Sequence, residues 1–83
     1  MNQPYRPISC DFHSELELLA LRRIACTIIF QENQALQTVE SPILDLYTRS
    51  GEEFLLLSDG KEIRLDRLVS VNGMELEKIL LSH

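Results

Sequence analysis

From Asp11 to Arg22 the apolar positions recur at helical spacing. At about 100° per residue, Phe12, Leu16 and Leu19 fall within an arc of about 60°, the apolar stripe of an amphipathic helix. Asp11, Glu15, Leu18 and Arg22 form a second row at i, i+4, i+7 and i+11. Two starts are open to this helix. Asp11 can cap it, while Ser14-Glu15-Leu16-Glu17 has the form of a capping box that would begin it later. The Asp11 start is preferred, because the later one leaves little more than about two turns. Acidic residues early and Arg22-Arg23 late both suit the helix dipole.

After Arg23 the period drops from 3.6 to 2. Ile24, Cys26, Ile28 and Phe30 alternate with Ala25, Thr27 and Ile29, which predicts a strand with one better-buried face. Gln31-Glu32-Asn33-Gln34 reads as a turn and Ala35 to Ser41 as a weaker second strand. Pro42 ends or bends that strand, and Ile43 to Tyr47 continues as a bent strand or a short helical turn. A turn at Arg49-Ser50-Gly51-Glu52 leads to the strongest strand, Glu53 to Ser58. Asp59-Gly60 then signals a hairpin to Lys61–Leu65. Asp66-Arg67-Leu68 links to a last strand at Val69–Asn72, closed by Gly73. In the tail, Leu76, Ile79 and Leu80 keep helical spacing, with a strand as the alternative.

The whole predicts one α+β, mostly β domain over residues 1–83: an extended arm at 1–10 around Pro4 and Pro7, a helix at 11–22, strands within 24–72 and a tail at 73–83. About five short strands in so short a chain imply a small, strongly bent barrel, because closure hides edges that an open sheet exposes.

Composition narrows the function. With 83 residues the chain has room for one domain, and 45% hydrophobic content is too high for a disordered one. No apolar stretch approaches the ~18 residues needed to cross a bilayer, and the first seven residues do not resemble a secretory signal. Two cysteines separated by fifteen residues make no disulfide framework, and no Cys/His set has metal-ligand spacing. A reduced, cytoplasmic protein without metal or cofactor is the expectation. Thirteen acidic against eight basic residues give a net charge of −5. Phosphate binding needs a basic patch, yet only Arg22 and Arg23 are adjacent, the other cations being scattered among carboxylates. Direct nucleic-acid binding is therefore disfavoured, and an acidic field suits a basic partner.

Catalysis finds little footing. Cys10 and His13 stand three apart, but no oxyanion glycines or orienting third group accompany them, so no catalytic residue is assigned. Cys26 reads as a small core hydrophobe. The carboxylates carry more information. Asp11 and Glu15 share one helical row, with Glu17 on its far shoulder. The ordinary reading makes Asp11 a cap and Glu15 a solvated residue paired weakly with Arg22. The functional reading makes the row, with an exposed Leu18, a contact ridge for a basic groove. Glu52, Glu53 and Asp59 at the hairpin ends form a possible second contact edge.

The string Tyr5-Arg6-Pro7-Ile8-Ser9-Cys10-Asp11, followed by Leu16-Glu17-Leu18 and later by Ile63-Arg64-Leu65-Asp66-Arg67-Leu68, resembles the Rof family of bacterial Rho-binding antiterminators. The resemblance runs from Tyr5 to about Asn72. It implies an Sm-like barrel preceded by a helix. It also implies binding to the hexameric transcription termination factor Rho at its primary RNA site, in competition with RNA, by a protein that is monomeric when free. Cys10, Asp11 and Leu16-Glu17-Leu18 carry the resemblance. On that footing Asp11, Phe12 and Glu15 would enter the RNA groove, supported by Glu17 and Leu18. Phe12 and His13 stand where the family has further acids. An Sm-like RNA-binding module is the alternative function.

Overall fold

The computed structural model describes residues 7–75. Its elements are α1 (Cys10–Arg22), β1 (Ala25–Glu32), β2 (Ala35–Arg49), β3 (Glu52–Leu57), β4 (Glu62–Arg64), a 3-10 turn (Leu65–Arg67), β5 (Leu68–Val71) and β6 (Met74–Glu75). The helix starts one residue before the expected one. Ser9, in extended geometry, is the N-cap: its hydroxyl accepts from the Phe12 amide at 3.2 Å, and Asp11 lies in the first turn. A serine hydroxyl reaches that orphan donor as well as an aspartate does. Asp11 is left to favour the helix dipole and to face solvent. Arg23, in the left-handed region at φ 55°, ends α1 with its amide turned back to the Ala20 and Leu19 carbonyls.

All strand pairs are antiparallel, in the order β4-β3-β2-β1-β5-β6. Two-residue turns with positive φ set three of the registers: Asn33-Gln34, Ser50-Gly51 and Asn72-Gly73. Such turns match the right-handed twist of the strands they join. The third corrects the expectation that Gly73 ends the sheet. Asn72-Gly73 folds the chain back, and β6 pairs Met74 with Val71. The helical spacing expected at Leu76, Ile79 and Leu80 lies outside the described residues, as does the arm through Arg6.

The second strand does not stop at Pro42. Residues up to Pro42 pair with β1, and those from Ile43 pair with β3. Proline has no N–H for a ladder, so the point where the strand changes partners is where it fits. A bulge between Ile43 and Asp45 shifts the strand's phase: burial moves from Ser41 and Ile43 to a half-buried Leu44 and Leu46. The Ser41 hydroxyl pins the corner, donating to the Pro42 carbonyl at 2.8 Å and accepting from the Ser58 amide at 3.1 Å.

The bend is forced by chain length. Arg64 and Leu68 are four residues apart, a reach of at most about 14 Å, yet three strands lie between β4 and β5 in the sheet order. Four gaps in a flat sheet would span roughly 19 Å. The sheet therefore curls, but among the described residues no pairing joins β4 to β6. It is a curled six-stranded sheet with two edges, where a barrel of about five strands was expected.

Phe12 and Leu16 from α1 meet Cys26, Ile28 and Phe30 of β1, Ile43 of β2, Leu55 and Leu57 of β3, and Val71 of β5 in one core. Leu19 and Ala20 pack on its margin. The expected inward face of β1 is present except at Ile24, which precedes the strand and is 44% exposed. Among the described residues no helix is long and apolar enough to cross a membrane.

Leu16 is fully buried and Leu18 is 43% exposed. Leu16→Ala is therefore expected to lower unfolding free energy by about 2–5 kcal/mol and Leu18→Ala by less than about 1 kcal/mol, read from urea denaturation. Equal losses would mean that α1 presents a different face to the sheet.

Candidate functional site

Docking by Phe12 and Leu16 decides which helix residues remain available. Asp11, Glu15, Glu17 and Leu18 are exposed, as the contact ridge requires. Phe12 is not: its ring is 0% exposed beneath α1, so it anchors the helix and offers no aromatic surface to a partner. Its place at about 100° from Asp11 on the helix wheel puts it in the buried arc. Among the described residues no ion pair joins Glu15 to Arg22, and neither Asp11 nor Glu15 has a cationic partner. Both carboxylates are open to an incoming charge.

The two groups of acids expected from sequence are partly brought together. Glu52 and Glu53 are successive in β3 and so point to opposite faces. Glu53 faces the helix. His13 Nε2 stands 3.3 Å from its Oε2, while His13 Nδ1 stands 3.7 Å from Glu17 Oε2. An imidazole thus lies between an acid of α1 and an acid of β3, over a hollow of about 230 Å³ that Tyr47 and Phe54 also line. The helical pattern alone assigns His13 no such role, because Glu53 lies forty positions away in sequence. Glu52 turns the other way, onto Arg64 at 3.3 Å. Asp59 serves its own hairpin, its carboxylate accepting from the Lys61 amide at 2.9 Å. It lines neither cleft.

On the Glu52 side, cations far apart in sequence meet. Arg49, Lys61, Arg64 and Arg67 line a cleft of about 370 Å³ together with Glu52 and Glu62. This clustering escaped the sequence reading, because it is made by the turns that bring the ends of β2, β3 and β4 together. Most of its charge is spent internally. Arg64 holds Asp66 through two bonds of 2.7 and 2.8 Å, with both side chains at or below 10% exposure. Arg49 reaches Glu62 at 3.3 Å and Lys61 reaches Glu32 at 3.5 Å. Arg49 also lies over the Phe54 ring at 4.7 Å, and that ring stacks on Tyr47 at 5.5 Å between centroids. Of the four, Arg67 alone has no carboxylate partner among the described residues.

The Tyr47 hydroxyl is shut off from solvent and among the described residues closes no hydrogen bond of ordinary geometry, although the Glu62 carboxylate faces it. Burial, and then Glu62, push this phenol above its ordinary value, and the contact with Tyr47 holds the Glu62 carboxyl below the usual range. Burial likewise pushes up the Cys26 thiol, whose Sγ donates to the Ile24 carbonyl at 3.4 Å. Among the described residues no group of three or more His, Cys, Asp or Glu stands together as a metal site.

Two tests follow from these pairings. Arg64→Ala removes the two-bond fork to the nearly buried Asp66 carboxylate and is expected to cost about 1.5–3 kcal/mol, whereas Arg67→Ala costs less than about 1 kcal/mol. Chemical denaturation distinguishes this from a cleft whose cations are equally free. Because the Tyr47 pKa is raised on folding, its stabilising contribution is complete below the unfolded value near 10 and is lost as pH rises through the folded value. Ultraviolet titration of a Tyr5→Phe variant is expected to place phenolate formation at Tyr47 above about 10. Glu62→Gln should lower that midpoint partway, since burial remains.

No family model matches the chain. Protein rof of Escherichia coli strain K12 is 31% identical over 85 residues, an alignment covering 99% of this chain and 98% of that protein. Protein rof of Shigella flexneri is similar to the same extent.

Proposed function

This chain belongs to the Rof family, and from that premise we propose that it is a non-enzymatic protein inhibitor of the termination factor Rho. It acts in the cytoplasm by occupying the primary RNA-binding site of the Rho hexamer and blocking RNA loading. The observation that carries this reading is the pair Asp11 and Glu15, exposed on one row of α1 with no cationic partner among the described residues. Glu17 and Glu53 extend the negative surface around His13. A single-strand RNA site combines cations that track phosphates with surfaces on which bases stack. A ridge bearing carboxylates and an exposed Leu18 offers both kinds of complement, charge for charge and apolar surface for the base-stacking walls.

An Sm-like barrel is the finer form of the fold that goes with this reading, the curled sheet being its coarse frame. The clustered cations Arg49, Lys61, Arg64 and Arg67 favour the second reading, an RNA-binding module. Their internal pairing weighs against it, since a phosphate would have to displace carboxylates already seated on three of them.

Under the leading reading, Glu15→Lys weakens binding to purified Rho at least tenfold, about 1.4 kcal/mol, with the circular dichroism spectrum and melting temperature nearly unchanged. Binding by the parent falls as salt rises, and excess single-stranded RNA displaces it. Parent-like affinity of Glu15→Lys at low salt would falsify the ridge as the contact. Binding of free RNA by the protein alone, with a steep negative salt dependence, would favour the module instead.

A further inference from the structure

At its C-terminal half α1 carries an apolar surface that the acidic row does not explain. Leu21 is 80% exposed and Leu18, its neighbour at i, i+3, 43%. A single exposed leucine is ordinary, but Leu21 also forms the wall of a groove of about 490 Å³ between α1 and β2, with Leu44 and Leu46 opposite. The bulge in β2 makes that opposite wall. Leu44 has no register partner between Ile43 and Asp45, and is left at the groove instead of in the sheet. Three charged residues stand in the lining, the carboxylates Glu17 from α1 and Asp45 from β2 and the guanidinium of Arg23 at the end of α1, so the groove is negative by one charge. Asp45 accepts from the Leu46 amide at 2.8 Å, and among the described residues no cation meets it.

We propose that this groove is the apolar half of the partner interface, resting on the reading that Rho's RNA site is the partner. It takes an aliphatic or aromatic side chain of the partner that is flanked by Lys or Arg. The apolar side chain lies between Leu21 and Leu44, and its cationic neighbours reach Glu17 and Asp45. Continuity selects this occupant, because Glu17 belongs to both the acidic ridge and the groove's lining, and Leu18 of the ridge is the i, i+3 neighbour of Leu21. Charge selects it as well. A second copy of this chain carries a net charge of −5 and would bring to the groove the same excess of two carboxylates over the one guanidinium of Arg23, so like charge predominates on approach. A basic partner meets no such repulsion.

Hydrophobic and ionic contacts separate in a salt series. Affinities for purified Rho are measured for the parent, Leu21→Ser and Glu15→Lys at several salt concentrations, with circular dichroism confirming the fold of each. Leu21 is exposed, so Leu21→Ser folds as the parent does. Under the proposal it binds at least tenfold more weakly, with the slope of log Kd against log salt unchanged, whereas Glu15→Lys makes that slope shallower. If Leu21→Ser binds like the parent while Glu15→Lys does not, the groove is no contact and the acidic ridge stands. If both bind like the parent, the ridge reading fails and the groove proposal falls with it. Analytical ultracentrifugation of the free protein is expected to show a monomer, and a dimer that Leu21→Ser dissolves would overturn the proposal by giving the groove to a second copy.

Discussion

The corner of β2 at Ser41-Pro42-Ile43 is the constraint on which the rest of the structure depends. One strand serves two neighbours in turn, β1 before the corner and β3 after it. That handover lets a 15-residue strand bend without losing pairing on either side. Proline sits where an amide donor is least needed, and the Ser41 hydroxyl, through the Pro42 carbonyl and the Ser58 amide, holds the angle. Curling then brings the end of β4 close enough to the start of β5 for one 3-10 turn to connect them. Without the bend, the chain between Arg64 and Leu68 is too short.

The concave side made by this curl is filled by Phe12 and Leu16. Their burial stabilises the helix on the sheet and, by the same rotation, turns Asp11, Glu15 and Leu18 to solvent. The functional surface is thus a consequence of core packing. A helix turned by about 100° would bury an acid, and an unpaired buried carboxylate is far costlier than the packing it displaces. The bulge after Ile43 acts similarly on the strand side, since it shifts the strand's phase and leaves Leu44 across the groove from Leu21.

Electrostatically the two sides of β3 diverge. Toward the helix, Glu53 and Glu17 share His13 and the ridge beyond is uncompensated. Toward β4, carboxylates are paired with guanidinium and ammonium groups, and the Arg64–Asp66 fork is nearly closed to water. Among the described residues this net negative protein thus leaves Asp11 and Glu15 of the helix without cations, while Glu32, Glu52, Glu62 and Asp66 neutralise the cation cluster. Opposite charges on that second face hold the ends of β2, β3 and β4 together and leave little for a phosphate.

Local pattern determined much of this. The 3.6 period from Phe12 to Leu19 marked the helix and its buried arc, and the change to period 2 marked β1, whose inner face follows the alternation of Cys26, Ile28 and Phe30. The turns at Asn33 and Gly51 were legible because they depend on residues that tolerate positive φ. Asn72-Gly73 carried the same signal, and its hairpin was readable although the expectation stopped there. The motif around Cys10, Asp11 and Leu16-Glu17-Leu18 pointed to the family that the relatives identify. Tertiary structure alone decided the rest. Phe12 satisfies both a contact motif and a core stripe, and only the position of the sheet beneath α1 assigns it to the core. Arg49, Lys61, Arg64 and Arg67 look scattered in sequence because the pairings that gather them are long-range. The groove of Leu21 and Leu44 joins residues more than twenty positions apart across a bulge. Periodicity reports which face of an element is apolar; it carries no information on which other element comes to cover that face, because that choice is made by the curl of the sheet.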